Sequence, residues 1–137
     1  AAAEAQANAF AGGAAASTLR VQGWTTQEWQ RFLTSLPQSL PAARLADLDR
    51  TFRLSEAGNS EILFAWLQVA LRNRYEPAVP AAERFLTGMG RRKFVAPLFR
   101  TLWGQDEWGR AHARRIYAAA RPGYHSVTSG TVDDIVR

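Results

Sequence analysis

The sequence predicts an all-α fold, an α-α superhelix of stacked antiparallel helix pairs of the armadillo or HEAT type. Apolar residues recur at helical spacing in successive short segments, and turns of a few residues separate those segments. One central segment is apolar on almost every side, which is typical of a buried helix. A strand-like alternation is confined to residues 132–136. At 137 residues and 47% hydrophobic composition, the chain is expected to form a single domain with its own core.

Residues 1–24 are predicted to be an alanine-rich helix followed by a connection. Alanine is a strong helix former, and the Gly12-Gly13 pair interrupts the run, so we expect one helix over residues 1–19 with a weak point at the glycines. Phe10 and Leu19 are its only large apolar side chains, so this segment should pack against a neighbour. The chain does not begin with methionine, and we expect that it was excised from a longer protein.

Residues 25–123 are predicted to form the helical core. Thr25 and Glu28 have the spacing of a capping box, so a helix should begin at this point. That helix is expected to end before Pro37, because a proline disfavours helical geometry in the residue that precedes it. Residues 62–71 are the most apolar stretch of the chain and are predicted to be the central buried helix.

The last third of the chain is predicted to contain two further helices and a tail. After a turn at residues 88–90, Pro97 is expected to delay the next helix until about Ala96, leaving residues 91–94 as a separate turn. Residues 124–137 contain Ser, Thr and Gly without a helical period. We therefore expect a C-terminal tail that is extended and packed on the surface of the domain.

Composition excludes several classes of site. The chain has no cysteine, so disulfides, thiolate catalysis and cysteine-bound metals are excluded. The two histidines, His112 and His125, are thirteen positions apart and lack the spacing of a helical metal-ligand pair, which argues against zinc within this chain. No run approaches eighteen apolar residues, so no membrane partner is expected. The alanine-rich start also lacks the basic region of a signal peptide.

The net charge of +5 invites a nucleic-acid interpretation. We discount it, because the arginines are dispersed along the whole chain instead of being massed in one run. Nucleic-acid binding, if present, would show an affinity that falls steeply with salt concentration.

The run Arg91-Arg92-Lys93 is locally unfavourable, because three cations at a helix start oppose the positive end of the helix dipole. Lys93 is also the only lysine in the chain. A solvated loop is the simpler interpretation. The functional interpretation is an anion site, in which a guanidinium fork and an ammonium bind a carboxylate near a helix start. If the turn is extended, residues 91 and 93 face one way and Arg92 faces the other.

Other chemistry-bearing residues have structural interpretations. Trp29 and Trp66 lie at helical spacing and are predicted to be core residues rather than stacking platforms. His112 is expected to be a packed histidine with one hydrogen bond, and His125 to lie in the tail. Asp133 is expected in a charged, solvated tail end. Since no base or orienting carboxylate is fixed near either histidine by spacing, the chain alone contains no catalytic constellation.

Three blocks occur in a fixed order: Asn59-Ser60-Glu61-Ile62 with Phe64-Ala65-Trp66-Leu67, then Gly90-Arg91-Arg92-Lys93-Phe94, then Pro97-Leu98-Phe99. Together they resemble the C-terminal domain of leukotriene A4 hydrolase and its bacterial aminopeptidase relatives, which are zinc enzymes. The resemblance runs from about residue 29 to residue 136. It implies a helical superhelix, and it implies that the alanine-rich start follows a linker from a catalytic domain outside this chain.

The resemblance also implies roles for two residues. The first arginine and the lysine of the Gly-Arg-x-Lys-Phe block hold the free carboxylate of a short peptide substrate, and the matching residues are Arg91 and Lys93. Arg92 occupies the variable middle position of the block, and the resemblance implies no role for it. Zinc, its HExxH helix and the general base would lie in the catalytic domain, so the chain alone would be non-catalytic and would close the active-site cleft.

The partners implied are the chain's own N-terminal and catalytic domains and a short peptide, with no nucleic acid, in a cytoplasmic enzyme. A second hypothesis stays open beside this one. A stack of helices can serve as a scaffold that binds a protein partner on one face, and such a scaffold would have no HExxH motif upstream.

Overall fold

The computed structural model describes residues 2–137 and shows only helices as regular elements in that range. Eight α-helices follow one another: α1 Ala2–Ala11, α2 Thr26–Thr34, α3 Ala42–Phe52, α4 Ser60–Arg72, α5 Val79–Gly88, α6 Arg92–Trp103, α7 Asp106–Ala120 and α8 Ser126–Ile135. Short 3₁₀ turns connect some of them: Ala16–Thr18, Leu54–Glu56, Glu76–Ala78 and Arg121–Gly123. In this described range, no helix has the length and apolar character that crossing a membrane requires.

The helices form two compact units, the first ending at Asn73 and the second running from Arg74 to the C-terminus. In the first unit, α2 packs against both α1 and α4. In the second unit, α6 packs against α7 and α8, and α5 packs against α7. The predicted all-α class of packed helix pairs, consistent with an α-α superhelix, is confirmed.

The N-terminal helix is shorter than predicted, because α1 ends at Ala11 instead of continuing past the glycines. Gly13 has a φ of 114°, a backbone conformation that side-chain-bearing residues rarely adopt. The chain beyond this break is held by α3. Arg44 donates to the carbonyls of Phe10 and Ala14, and Asp47 accepts from the amide of Ala16.

Two helix starts in the first unit are fixed by side-chain caps. The capping box is confirmed: Thr25 accepts from the amide of Glu28, whose carboxylate accepts from the amide of Thr25. At the start of α4, Asn59 Oδ1 accepts from the amides of Glu61 and Ile62. The Asn59 amide nitrogen also donates to Thr26 Oγ1, so one residue links the starts of α2 and α4.

The central helix α4 supplies the core of the first unit, as its composition predicts. Six residues in the second half of α4 are buried: Ala65, Trp66, Leu67, Val69, Ala70 and Leu71. Trp66 is fully buried, and its indole nitrogen donates to Ser55 Oγ, which in turn donates to Asp49. The prediction that Trp66 is a core residue is therefore confirmed. Trp29 is half-buried and packs edge-on against Phe52.

In the second unit, the prediction of a separate turn at residues 91–94 is wrong. Helix α6 begins at Arg92 and continues through Pro97. In this position the proline has no N–H to donate to the carbonyl of Lys93, four residues earlier, and its ring crowds that carbonyl. The cost of that missing bond is offset by burial, because six residues of α6 are buried: Phe94, Val95, Ala96, Leu98, Phe99 and Leu102.

Helices α6 and α7 approach each other at a glycine. A Cβ atom on Gly109 would lie 1.8 Å from the carbonyl oxygen of Leu102, which no real contact allows. Gly109 is buried in the first part of α7, directly after the short connection that follows Trp103. A residue without a side chain is therefore required for this tight helical hairpin.

The prediction of an extended tail after residue 123 is also wrong, because residues 126–135 form α8. Val132 of α8 is fully buried. Asp133 is not a free tail charge: its two oxygens accept from Arg121 Nε at 3.0 Å and Nη2 at 2.8 Å. The Tyr117 hydroxyl lies 2.5 Å from Asp133 Oδ1 and 2.9 Å from the carbonyl oxygen of Ser129. These bonds attach α8 to α7.

Candidate functional site

The candidate site lies at the corner between α5 and α6. Three residues, Met89 to Arg91, connect the two helices, and Gly88 and Gly90 flank the methionine. Neither glycine has a positive φ, and a Cβ atom on either would meet nothing within 4 Å. There is therefore open space on the side of each glycine where a side chain would lie.

Arg91 occupies the N-cap position of α6 with extended backbone angles, φ −71° and ψ 120°. Three other helices have an acceptor side chain that caps them: Thr25 for α2, Asn59 for α4 and His125 for α8. A guanidinium has no acceptor, and Arg91 makes no side-chain cap. The first turn of α6 also contains no acidic residue, so nothing in that turn compensates the positive end of the helix dipole.

Arg91 and Lys93 share one aromatic ring. Arg91 Cζ lies 5.6 Å from the centroid of the Phe94 ring, and Lys93 Nζ lies 4.8 Å from the same centroid. Both basic side chains are exposed, whereas Phe94 is 3% exposed and packs edge-on against Phe85 at 5.8 Å. The structure thus brings the two predicted site residues to one fixed ring, with distances in the cation–π range.

Arg92 points elsewhere. Its Nη1 lies 3.4 Å from Thr131 Oγ1 on α8, and the side chain remains exposed. The orientation predicted for an extended turn does not apply, because the backbone is helical from Arg92 onward. The three consecutive cations therefore divide into a pair on Phe94 and a single arginine on α8.

This arrangement is suited to binding an anion. A guanidinium presents a planar fork that matches a carboxylate, and a lysine ammonium adds a compact point charge. The aligned peptide dipoles of a helix add a further positive potential at its N-terminus. Because both basic side chains are exposed, a ligand from solvent can reach them.

A second polar cluster in the same unit was not foreseen from the sequence. Glu76 Oε1 accepts from Trp108 Nε1 at 2.8 Å and lies 3.3 Å from His112 Nε2. Arg115 Nη2 lies 2.9 Å from His112 Nδ1, and Arg115 Nη1 lies 2.5 Å from Glu83 Oε1. Since a guanidinium only donates, Nδ1 is the acceptor and Nε2 carries the hydrogen directed at Glu76.

This cluster attaches Glu76 and Glu83 to α7. The pKa of Glu76 is lowered, first because Trp108 donates to its carboxylate and then because of His112 and Arg115. The prediction of one hydrogen bond for His112 was incomplete, because the ring has partners on both nitrogens. The spacing of Trp108, His112 and Arg115 on one helix face was a visible signal, but Glu76 is more than thirty residues away in sequence.

The residues that the structure describes include no group of three or more His, Cys, Asp or Glu that could hold a metal ion. His112 is engaged by Glu76 and Arg115, and His125 Nδ1 accepts from the amide of Val127 at the start of α8. These side chains therefore do not fit the requirements of a zinc site.

Comparison with known proteins decides the family. The family described as "Leukotriene A4 hydrolase, C-terminal" matches residues 24–136. The chain belongs to this family. All three sequence blocks that carry the resemblance lie inside the matched range, so the family prediction made from them is confirmed.

Curated relatives agree with membership in the leukotriene A4 hydrolase C-terminal family. Aminopeptidase B of Mus musculus is 28% identical over 125 residues, which are 89% of this chain and 19% of that protein. Aminopeptidase B of Rattus norvegicus is 26% identical over the same coverage. Leukotriene A-4 hydrolase of Xenopus laevis is 31% identical over 93 residues, 68% of this chain and 15% of that protein. The chain thus spans less than a fifth of the length of these relatives.

Proposed function

We propose that this chain is the C-terminal helical domain of a zinc aminopeptidase, that it closes the active-site cleft, and that Arg91 and Lys93 bind the free carboxylate of short peptide substrates. Membership in the leukotriene A4 hydrolase C-terminal family supports the enzyme class. The relatives' names, Aminopeptidase B and Leukotriene A-4 hydrolase, support a hydrolytic parent enzyme. A cytoplasmic location remains part of the same proposal.

The observation that carries the proposal is the pair of exposed cations on Phe94 at a helix start without a side-chain cap. An acceptor at an N-cap position stabilises a helix by about 1 kcal/mol, and each cation near a helix N-terminus costs roughly 0.3–1 kcal/mol. The corner therefore lowers the stability of α6. An external carboxylate would accept hydrogen bonds at this helix start and would add a negative charge near the positive end of the helix dipole.

Carboxylate binding at this corner would select substrates by length. If a peptide is held by its C-terminal carboxylate, its N-terminal end reaches the reaction centre only when the peptide has the right number of residues to span the distance. In this proposal the catalytic zinc would be bound by residues outside this chain. This chain's own contribution would then be to bind and orient the substrate.

The test is Arg91→Ala in the full-length enzyme. A charge-assisted hydrogen bond contributes about 1.5–3 kcal/mol, so kcat/KM for di- and tripeptides should fall about ten- to a hundredfold. An uncharged chromogenic amide, which has no free carboxylate, should lose much less.

Arg100→Ala is the matched control. Arg100 is also an exposed arginine of α6, but it lies in the last turn of the helix, away from the corner. This variant should leave both substrates nearly unaffected. Equal losses on the peptide and the amide in Arg91→Ala would rule out the carboxylate role.

A further inference from the structure

The site corner is attached to α8 by a buried hydroxyl. Thr128 Oγ1 donates to the carbonyl oxygen of Gly90 at 3.2 Å. Thr128 is 4% exposed, and the only other buried polar residue in the described part of the chain is its neighbour Ser129. A polar group that is buried in this way normally has a specific hydrogen-bond partner, and here the partner is the backbone just before Arg91.

This bond fixes the direction of the backbone at Arg91. The carbonyl of Gly90 and the N–H of Arg91 belong to the same planar peptide unit and point in opposite directions. When Thr128 holds the carbonyl toward α8, the Arg91 N–H is directed away from α8. Glycine has the largest conformational freedom of any residue, and a Cβ atom built on Gly88 or Gly90 would meet nothing within 4 Å. The Thr128 bond therefore restricts a connection that is otherwise weakly restrained.

Helix α8 is itself held in place. Arg121 and Tyr117 both bind Asp133 in its last turns, and the Tyr117 hydroxyl also contacts the carbonyl of Ser129. The Thr128 hydroxyl therefore belongs to a helix whose position is fixed by contacts with α7 and with Arg121. The contact from Arg92 to Thr131 adds a second link between the corner and α8.

We propose that Thr128 is a positioning residue for the carboxylate site, holding the Gly90–Arg91 peptide so that the Arg91 side chain starts from the correct backbone orientation. This inference rests on the proposed function of Arg91 and Lys93. Thr128 would not touch the substrate, and it would act only through the peptide bond that precedes Arg91.

The test is Thr128→Val in the full-length enzyme, because valine keeps the side-chain shape and removes the donor. Loss of one hydrogen bond should raise KM for a tripeptide roughly three- to tenfold, with kcat nearly unchanged. KM for an uncharged chromogenic amide should not change. Thr128→Ser restores the hydroxyl and should restore the tripeptide KM, which a purely steric role would not do.

A second measurement addresses the corner directly. Hydrogen–deuterium exchange in residues 88–95 should become faster in Thr128→Val and return toward the wild-type rate in Thr128→Ser. The matched control is Thr34→Val, which removes an exposed threonine hydroxyl that bonds within its own helix α2. It should change neither the kinetics nor the exchange of the corner.

The outcomes separate this inference from the proposed function. If Arg91→Ala weakens only the carboxylate-bearing substrate but Thr128→Val changes neither KM nor exchange, the positioning role is overturned and the carboxylate site stands. If Arg91→Ala affects both substrates equally, the carboxylate site fails and the substrate-positioning role of Thr128 fails with it, even where exchange is faster. Equal KM changes on both substrates in Thr128→Val would also overturn the positioning role.

Discussion

At the scale of single residues, Arg91 has opposite effects on folding and on the proposed binding. It occupies an N-cap position, where Ser, Thr, Asn or Asp would accept a hydrogen bond from the first turn. It also adds a cation to the positive end of the helix dipole. A residue better suited to folding at this position would lack the guanidinium that the proposed carboxylate site needs.

This conflict predicts a trade-off in Arg91→Ser. The serine should cap α6 and raise the free energy of unfolding of the 137-residue chain by about 0.5–2 kcal/mol, measured by urea denaturation. The same substitution in the full-length enzyme should lower kcat/KM for a tripeptide. Arg100→Ser, at the other end of α6, provides no cap and should not stabilise the chain. A loss of stability in Arg91→Ser would contradict the capping argument.

A second residue-scale prediction concerns acid. The pKa of Asp133 is lowered from its ordinary 3.8 to about 2, first because Arg121 donates to the carboxylate and then because Tyr117 does. Since the folded-state pKa lies below the unfolded one, the ion pair stabilises the fold above about pH 4. That contribution is lost as the pH falls from there toward 2.

Urea midpoints measured against pH should therefore differ between wild type and Asp133→Asn at neutral pH and converge near pH 2. Asp134→Asn removes the neighbouring carboxylate but keeps the pair with Arg121, so it should follow the wild-type curve. If Asp133→Asn and wild type differed by the same amount at pH 7 and pH 2, the ion pair would not be the cause.

At the scale of elements, the sequence predicted those helices whose determinants are local. The capping box of α2 and the apolar composition of α4 lie within a few residues of the helices that they specify, and both predictions are confirmed. Helix α8 was missed, because Ser126–Ile135 is rich in Ser and Thr, contains Gly130, and has low helical propensity. Its stabilising partners, among them Tyr117 and Arg92, lie far away in sequence and give no local pattern.

The start of helix α6 was also predicted wrongly, because the helix begins at Arg92 and not near Ala96. A proline at position 97 predicts a helix break, but the helix continues through it because the residues around it are buried. A proline removes one backbone donor, whereas the apolar face of α6 gains stability from several buried side chains. Packing therefore overrides the local penalty.

Alanine substitutions at Gly109 and Gly130 should have opposite effects on the stability of the chain. Gly109→Ala places a Cβ 1.8 Å from the Leu102 carbonyl oxygen, so α6 and α7 must separate, at a cost of about 1–3 kcal/mol or more. Gly130→Ala meets nothing within 4 Å in helix α8 and should stabilise the chain by roughly 0.5–1 kcal/mol. Urea denaturation of both variants tests the pair, and equal effects would contradict the close approach at Gly109.

At the scale of the whole molecule, the sequence identified the family and indicated two candidate site residues, but it did not predict the structure that surrounds them. The Gly90-Arg91-Arg92-Lys93-Phe94 block indicated Arg91 and Lys93 through a family resemblance. The shared Phe94 ring, the buried Thr128 hydroxyl and the Glu76–His112 cluster depend on contacts between elements, which spacing along the chain does not encode.

Many of the arginines have structural partners. Several arginines are paired with carboxylates inside their own unit: Arg53 with Glu56, Arg74 with Asp106, Arg114 with Glu107, Arg115 with Glu83 and Arg121 with Asp133. These pairs are dispersed along the chain. These arginines are therefore engaged in ion pairs within their own unit.

The central claim is that Arg91 and Lys93 bind a peptide carboxylate, and a cycle of enzyme and substrate changes tests it most directly. Wild-type full-length enzyme and Arg91→Ala would each be assayed with one tripeptide and with the same tripeptide amidated at its C-terminus. We expect a coupling of about 1.5–3 kcal/mol between the guanidinium and the carboxylate in kcat/KM. The same cycle with Lys93→Met should also give a coupling of that sign. A coupling of zero in both cycles would contradict the claim.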